Sequence, residues 1–444
     1  MSLSFFQSRL ASDIIASARS SRSNTPVFFD DDASSVASGY STPCTERSIL
    51  FEPVDRTPFL SQNQDQNRVL VVGGLGFIGS HTTWELLKTG RNVVIVDDLS
   101  NSYITILNRL KQLTDKYYQG SEKKPTIQFH EADYRCTRTM TGILRQYEVR
   151  ANDGTVSSGI SGVIHFAAYK AVTESIQHPL KYYANNVAGM VDFCSLLDKF
   201  NIKTFIFSSS ATVYGELANG GGKLREELCT HQTTQWVDNE GEARETLSGS
   251  TGLTNPYGRT KWMCEAILSD LAASDPEWRI MALRYFNPVG ADESGLLGED
   301  PRGTPSNLMP VLVQAMTGER EELKIFGSDW NTRDGTCIRD FIHVSDLARG
   351  HLAALDAATG DSAIKGFQAI NLGTGNGASV KEVVAAMEDV IGRSIPTRLV
   401  DRREGDVGVC IADTTKASNL LGWCARRTVR DSCRDVVNFL KLDV

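Results

Sequence analysis

An apolar run breaks abruptly into glycines at Val69-Leu70-Val71-Val72-Gly73-Gly74-Leu75-Gly76-Phe77-Ile78-Gly79-Ser80. The pattern predicts a short buried strand, a tight turn, and a helix running towards Thr89. Gly73 and Gly74 permit a sharp turn, Gly76 lets the backbone approach a bound group closely, and Gly79 lets the helix lie against the sheet. The N-terminus of such a helix offers free N–H groups and a favourable dipole, which suits a pyrophosphate. Glycine clusters also occur in turns of no chemical consequence, so the surroundings must decide. A second apolar run, Val93-Val94-Ile95-Val96, ends in Asp97, at roughly the 20-residue interval expected of an acid that bonds an adenosine ribose. A carboxylate repels a 2′-phosphate, so the cofactor expected is NAD rather than NADP.

From Arg68 onward, apolar runs alternate with helical stretches. Strands are expected at Arg68–Val72, Asn92–Val96, Ile127–His130, Gly162–His165, Thr204–Phe207 and Ile280–Leu283, with helices notably over Leu180–Phe200 and Tyr257–Ser274. That order implies an α/β fold, a doubly wound, Rossmann-like parallel sheet covered on both faces. Ligands of such sheets bind beyond the carboxyl ends of the strands. Polar, Gly-rich loops are expected at Asp153–Ser161 and, much longer, at Glu216–Asn255. The NAD-binding domain is expected to span residues 68–288. After Pro288 the rhythm weakens, implying a smaller C-terminal α/β domain over residues 289–444 that binds substrate and lends residues 339–358 back to the first. Residues 1–67 are Ser-rich and lack a lasting apolar face, so a disordered tail open to phosphorylation is expected. Arg9, Arg19 and Arg22 faintly suggest a transit peptide, but Asp13 and Asp30-Asp31-Asp32 argue against it.

Composition narrows the classes. A chain of 444 residues, 41% hydrophobic and 23% charged, has ample material for a core. A net charge of −8 disfavours non-specific nucleic-acid binding. No apolar run is long enough for a membrane span. The nine cysteines are scattered without a Cys-x-x-Cys pair, which implies reduced thiols in the cytoplasm and no metal site.

Chemistry enters with Ser208-Ser209-Ser210-Ala211-Thr212-Val213-Tyr214-Gly215 and Asn255-Pro256-Tyr257-Gly258-Arg259-Thr260-Lys261. Tyr257 and Lys261 share a helix face. An ammonium nearby favours the phenolate, so Lys261 is expected to lower the Tyr257 pKa towards the working pH. A serine at the strand end can bridge Tyr257 to a substrate hydroxyl. Tyr-x-x-x-Lys alone is an ordinary helix pair; the glycine turn and serine-rich strand end give it weight.

These segments, with VIHFAAYKAVTES, YYANNVAG, LRYFNPVGA, GEDP, NLMP, DGTCIRDFIHVSDLA and RREGD, run in order from about Arg68 to Leu421. The chain resembles the extended short-chain dehydrogenase/reductases and, within them, the UDP-glucose (UDP-galactose) 4-epimerases. The resemblance implies reversible 4-epimerisation of UDP-galactose and UDP-glucose through a 4-keto intermediate, with bound NAD and catalysis by Ser210, Tyr257 and Lys261. It implies cofactor contacts from Gly73, Gly76, Phe77, Ile78, Gly79, Asp97, Asp98, Asn101, Asp133, Tyr134, Phe166, Ala167, Lys170 and Tyr285, beside Tyr257 and Lys261. For the UDP-sugar it implies Lys170, Ser210, Tyr257, Phe286, Asn287, Asn307, Leu308, Phe326, Arg339, Arg403, Asp406 and Cys410. Arg339 and Arg403 suit a diphosphate, since a guanidinium bonds phosphate oxygens in pairs. Phe326 is equally explicable as uracil stacking or as core packing. Cys410 stands where some relatives carry Tyr, implying room for UDP-N-acetylgalactosamine and UDP-N-acetylglucosamine. Ala211 and Thr212 stand where dehydratases need an acid pair, which argues against dehydration. UDP-glucuronate or UDP-pentose epimerisation, and a non-catalytic NAD-sensing role, are the competing readings. A homodimer through the Leu180–Phe200 and Tyr257–Ser274 helices is also implied.

Overall fold

Val69 and Val71 fall on one face of the first strand and Leu70 and Val72 on the other, and all four are buried. The structure, a computed structural model, describes residues 68–441 except 239, 361 and 404. The tail expected over residues 1–67 lies outside them. Seven strands form one sheet: β1 (Arg68–Val72), β2 (Asn92–Asp97), β3 (Ile127–Glu131), β4 (Ile160–His165), β5 (Thr204–Ser208), β6 (Arg279–Tyr285) and β7 (Gly366–Leu372). The spatial order is β7-β6-β5-β4-β1-β2-β3 and every pairing is parallel. The winding reverses between β1 and β4, and that switch point opens a crevice at the carboxyl edge.

Helices cover both faces, as two-sided burial of the strands requires. Helix α1 (Phe77–Lys88) begins directly after the glycine turn, and α2 (Gly189–Lys199) continues a π-helical stretch, Tyr183–Ala188. Helix α3 (Pro256–Ser274) carries the Tyr-x-x-x-Lys segment, and α4 (Val344–Thr359) returns from the C-terminal half. One core packs Val71, Ile95, Ile164 and Ile206 under α1 and α4. The other packs Leu70, Val94, Phe205 and Phe207 under α2 and α3, with Met190, Phe193, Cys264 and Leu268. Truncating a fully buried side chain such as Phe205 to alanine should cost about 3–5 kcal/mol. A third cluster, including Met309, Leu312, Ile325, Val383 and Met387, gathers the C-terminal elements.

Six expected strands occur, and the seventh, Gly366–Leu372, is an addition. It returns the chain to the sheet after α4 and hydrogen-bonds along the whole of β6. Two expected loops are more ordered than their composition suggests. Val156–Ser158, inside Asp153–Ser161, pairs antiparallel with Glu148–Arg150. Within Glu216–Asn255, Thr234–Val237 pairs with Ala243–Thr246 in a second hairpin. Both hairpins are largely exposed, so they need no apolar alternation, the signal a sequence reading depends on.

Candidate active site

Three consecutive serines leave the carboxyl end of β5, and each is tied to a different group. The Lys261 ammonium donates to the Ser208 carbonyl at 2.6 Å, and the Ser208 hydroxyl donates to the Tyr285 oxygen at 2.8 Å. The Ser209 hydroxyl donates to Glu265. The Ser210 hydroxyl accepts from the Thr212 N–H at 3.2 Å and the Thr212 hydroxyl at 3.0 Å, and it stands close enough to the Tyr257 phenol to favour the phenolate.

Helix α3 starts where its sequence directs. The Asn255 side chain accepts the Gly258 N–H at 2.8 Å, and Pro256 occupies the first turn. Tyr257, Lys261 and Glu265, spaced four apart, line one buried face. The expectation that Lys261 lowers the Tyr257 pKa is corrected. Burial is the largest influence on Tyr257 and raises its pKa; the Tyr285 phenol adds to this and the Ser210 bond opposes it. Lys261 lies 5.9 Å from the Tyr257 ring centroid but 4.7 Å from that of Phe207, with one of its three N–H donors on the Ser208 carbonyl. Burial brings Lys261 itself down to about 8.

The glycine turn has its own geometry. Gly73 has φ +76°, and a Cβ there would stand 2.9 Å from the Ala167 nitrogen. A Cβ on Gly79 would stand 2.1 Å from the Gly73 oxygen, so helix and turn are in backbone contact. Gly76 is different: its Cβ would meet only Gly73 O, at 3.4 Å. No side chain caps α1 and no acid lies in its first turn, which includes Phe77, Ile78 and Gly79. At the end of β2, the Asp97 carboxylate accepts the Leu75 N–H at 2.9 Å, the Leu99 N–H at 3.0 Å and the Ser102 hydroxyl at 2.7 Å. Burial pushes its pKa up. An uncapped helix start and a carboxylate anchoring the same turn fit a dinucleotide, phosphates at the N–H groups and ribose at Asp97.

Other expected cofactor residues are partly committed elsewhere. Asp98 accepts the N–H and hydroxyl of Ser100, and Asn101 accepts the Arg302 N–H at 3.3 Å. Asp133 holds Arg135 through paired bonds of 2.9 and 2.6 Å. Tyr134 points into the core, donating to the Asn185 carbonyl at 2.6 Å with its ring edge-on to His165. Phe166 leans on His351, with centroids 4.8 Å apart. Phe166 and Ala167 leave β4 beside the glycine turn.

The expected substrate residues form two groups. Lys170 and Asn307 converge on Glu299, at 3.5 and 3.2 Å. Leu308 starts the helix Leu308–Thr317 and packs on the third core. In the second group Asp406 lies 3.0 Å from Arg403 and 3.7 Å from Arg339, so two guanidiniums share one carboxylate. Arg403 stands 5.3 Å from the centroid of the partly exposed Phe326 ring. Arg339 pairs with Cys410 between adjacent short strands, and burial raises the Cys410 thiol to about 11 although Arg339 opposes it. Asn287 bonds the Asp340 carbonyl through its backbone at 3.0 Å, and Phe286 packs in a small cluster that Cys410 borders. The segment after Ser210 reaches this group: Asn219 accepts the Gly408 N–H at 3.2 Å, and Leu224 bridges to Ala412.

Three connecting residues escaped the sequence reading. Glu265 pairs with Arg284 at 2.7 Å with both side chains fully buried, and His231 Nε2 lies 2.9 Å from the same carboxylate. Asn186, in the π-helical stretch, bonds the Tyr169 backbone and the Thr260 hydroxyl, each at 3.0 Å, joining the loop after β4 to α3. Glu299 gathers Lys170 and Asn307. A charged residue amid an apolar strand, Arg284, was the available signal.

Comparison with known proteins places this geometry. The profile of the NAD dependent epimerase/dehydratase family matches residues 69–373. A UDP-glucose 4-epimerase of Dictyostelium discoideum is 44% identical over 377 residues, covering 85% of this chain and 96% of that protein. A bifunctional UDP-glucose 4-epimerase and UDP-xylose 4-epimerase of Pisum sativum is 42% identical, with 84% and 95% covered. The crystal structure of a Bifidobacterium longum UDP-glucose 4-epimerase in complex with NAD+ and UDP superposes with a TM-score of 0.71 at 41% identity, covering 84% and 98%.

Proposed function

The chain belongs to the NAD dependent epimerase/dehydratase family, and from that premise we infer that it is a UDP-glucose 4-epimerase that interconverts UDP-galactose and UDP-glucose with NAD as cofactor. The observation that carries this reading is the buried set Ser210, Tyr257 and Lys261 at the carboxyl end of β5, on the same sheet edge as the glycine turn. Tyr257 takes the proton of the sugar 4-hydroxyl as its phenolate, a form that burial opposes and that the Ser210 hydroxyl and the positive charge of bound NAD would favour, and returns it to the product. Ser210, beside that phenol, holds the 4-oxygen. Lys261 fixes the nicotinamide ribose and, through Ser208, the strand end that carries Ser210. NAD when bound supplies a hydride acceptor for the sugar C4 and a donor to the opposite face of the 4-keto sugar. No net oxidation results, so the cofactor is retained between turnovers.

Arg339 and Arg403 hold the diphosphate, and their shared Asp406 leaves the group one positive charge in excess. Phe326, beside Arg403, stacks on the uracil, and Asn287, Asn307, Leu308 and Phe286 line the remainder. Residues 68–288 with 339–358 form the cofactor-binding domain, and most of 289–444 binds the nucleotide sugar. The half-buried Cys410 leaves space for a C2 N-acetyl group, so the N-acetylhexosamine nucleotides are further substrates. Turnover of UDP-pentoses beside the hexoses is a second reading, favoured by the name of the pea relative.

The partner is a second copy of the chain. Leu180, Val191 and Met263 are exposed at 80%, 43% and 37% on the elements expected to form that interface. Among the described residues no helix is long and apolar enough to cross a membrane. The eight described cysteines are free, which supports a cytoplasmic setting.

The deciding experiment is conversion of UDP-galactose by the purified protein with no NAD added. Product confirms epimerisation with retained cofactor. Rescue only by added NAD refutes retention, and no product under either condition refutes the function. A Tyr257→Phe protein should bind UDP and turn over nothing.

A further inference from the structure

Glu265 is a fully buried carboxylate to which the mechanism above assigns no task. It lies on the α3 face that carries Tyr257 and Lys261, and Arg284 reaches it from β6, donating from Nε at 3.0 Å and from Nη2 at 2.7 Å. The pair is closed off by the long segment between Ser210 and Asn255. The same Nη2 donates to the Cys229 carbonyl at 2.8 Å, and His231 Nε2 lies 2.9 Å from the carboxylate oxygen that Nη2 meets. Arg284 Nη1 meets the Tyr214 hydroxyl at 3.2 Å, and that hydroxyl donates to Asn371 in β7 at 2.7 Å. A fully hydrogen-bonded ion pair of this kind is rigid, because any displacement leaves a buried charge without its partners.

What the carboxylate holds is Ser209. The serines on either side are Ser208, whose carbonyl receives Lys261, and Ser210, whose hydroxyl meets Tyr257. Lys261 and Glu265 thus pin consecutive residues of the strand end to consecutive turns of α3, and Ser210 is the next residue out. We propose that Glu265, acting through Ser209, is a positioning residue for the proton transfer, fixing the strand end against α3 so that Ser210 and Tyr257 meet the same substrate oxygen. The segment Glu216–Asn255 thereby gains a role: Cys229 and His231 complete the coordination that keeps Glu265 in place. The inference rests on the epimerase reading and deepens it.

Ser209→Ala tests it and leaves the Glu265–Arg284 pair intact. A misplacement of the hydroxyl slows chemistry without loosening the nucleotide grip, so kcat on UDP-galactose should fall about tenfold with KM changed less than about twofold. Ser209→Cys keeps a donor, though a weaker and somewhat bulkier one, and should fall between wild type and Ser209→Ala. The discriminating measurement is the double-mutant cycle with Ser210→Ala. If Ser209 acts through Ser210, Ser209→Ala in the Ser210→Ala background costs nothing further in kcat. Losses that multiply, a wild-type kcat for Ser209→Ala, or a KM that rises in step with the loss would each overturn the proposal. Failure of the wild-type protein to turn over UDP-galactose removes the epimerase reading itself; wild-type turnover with an unimpaired Ser209→Ala removes only the positioning role.

Discussion

Gly258 and Thr212 approach backbone to backbone: a Cβ on Gly258 would stand 2.9 Å from the Thr212 carbonyl oxygen. Gly258 follows Tyr257, and Thr212 bonds Ser210. This contact sets how near the first turn of α3 comes to the end of β5.

Gly258→Ala should therefore push Tyr257 away from Ser210. Overpacking of this kind costs about 1–3 kcal/mol of stability, while misplacement of reacting groups by an ångström can cost about a hundredfold in rate. The expected outcome is a folded protein with kcat reduced far more than its thermal midpoint. Loss of both in proportion would mean that the glycine serves packing alone.

The glycines of the first turn separate folding from binding. Gly79→Ala forces a Cβ to within 2.1 Å of the Gly73 oxygen, so α1 must move and stability must fall with cofactor affinity. Gly76→Ala meets only a 3.4 Å contact at an ordinary φ of −69°. It should unfold like the wild-type protein when both are freed of cofactor, yet retain little NAD through purification. Thermal unfolding and the absorbance of released NAD check the two. A Gly76→Ala protein that keeps its full complement of NAD would sink the assignment of this turn to the pyrophosphate.

The sequence made the site legible unevenly, and the reasons are physical. Strands such as Val93–Val96 are buried on both faces, so an unbroken apolar run marks them. Strand β7, Gly366–Leu372, carries Gln368 and Asn371, and Asn371 is fully buried because Tyr214, Glu226 and Leu224 satisfy it. A polar residue satisfied by distant chain looks exposed in a sequence. The same holds for Glu265, an ordinary surface residue of a helix until Arg284 is placed beside it. Ser210, Tyr257 and Lys261 could be singled out because a serine-rich strand end and a Tyr-x-x-x-Lys helix start follow the glycine turn in order, and the structure buries all three. The direction of the Tyr257 pKa was misjudged because spacing reports a neighbouring charge and says nothing of burial.

Acid should act through the Glu265–Arg284 pair. Burial opposes ionisation of Glu265, but the Arg284 charge and the bonds from His231 and Arg284 prevail, bringing it from 4.5 to about 2. The folded carboxyl then binds fewer protons than the unfolded one between those values. Its contribution is complete above pH 4.5 and is lost as pH falls towards about 2. Glu265→Gln should lose about 3–5 kcal/mol near neutrality, as expected when one partner of a buried pair is removed. Because the variant lacks this titration, its deficit should shrink as pH falls through the window. Denaturant unfolding at a series of pH values measures it, and parallel curves would contradict the assignment.

Cys410 offers a test of substrate choice. It pairs with Arg339, which sits on the carboxylate shared with Arg403, and it borders the cluster containing Phe286. Tyrosine at this position would extend into the space proposed for the sugar without altering the guanidiniums proposed to hold the diphosphate. Cys410→Tyr should thus leave kcat/KM for UDP-galactose within about threefold of wild type, since losing room for a group the hexose lacks removes no contact. For UDP-N-acetylgalactosamine the loss should exceed about a hundredfold, because a buried clash is not relieved by rotamer change in a packed wall. Competing turnover of the two substrates in one reaction gives the ratio directly. An equal loss on both would place the damage at the diphosphate or in the fold, and Cys410 would cease to be a determinant of the sugar.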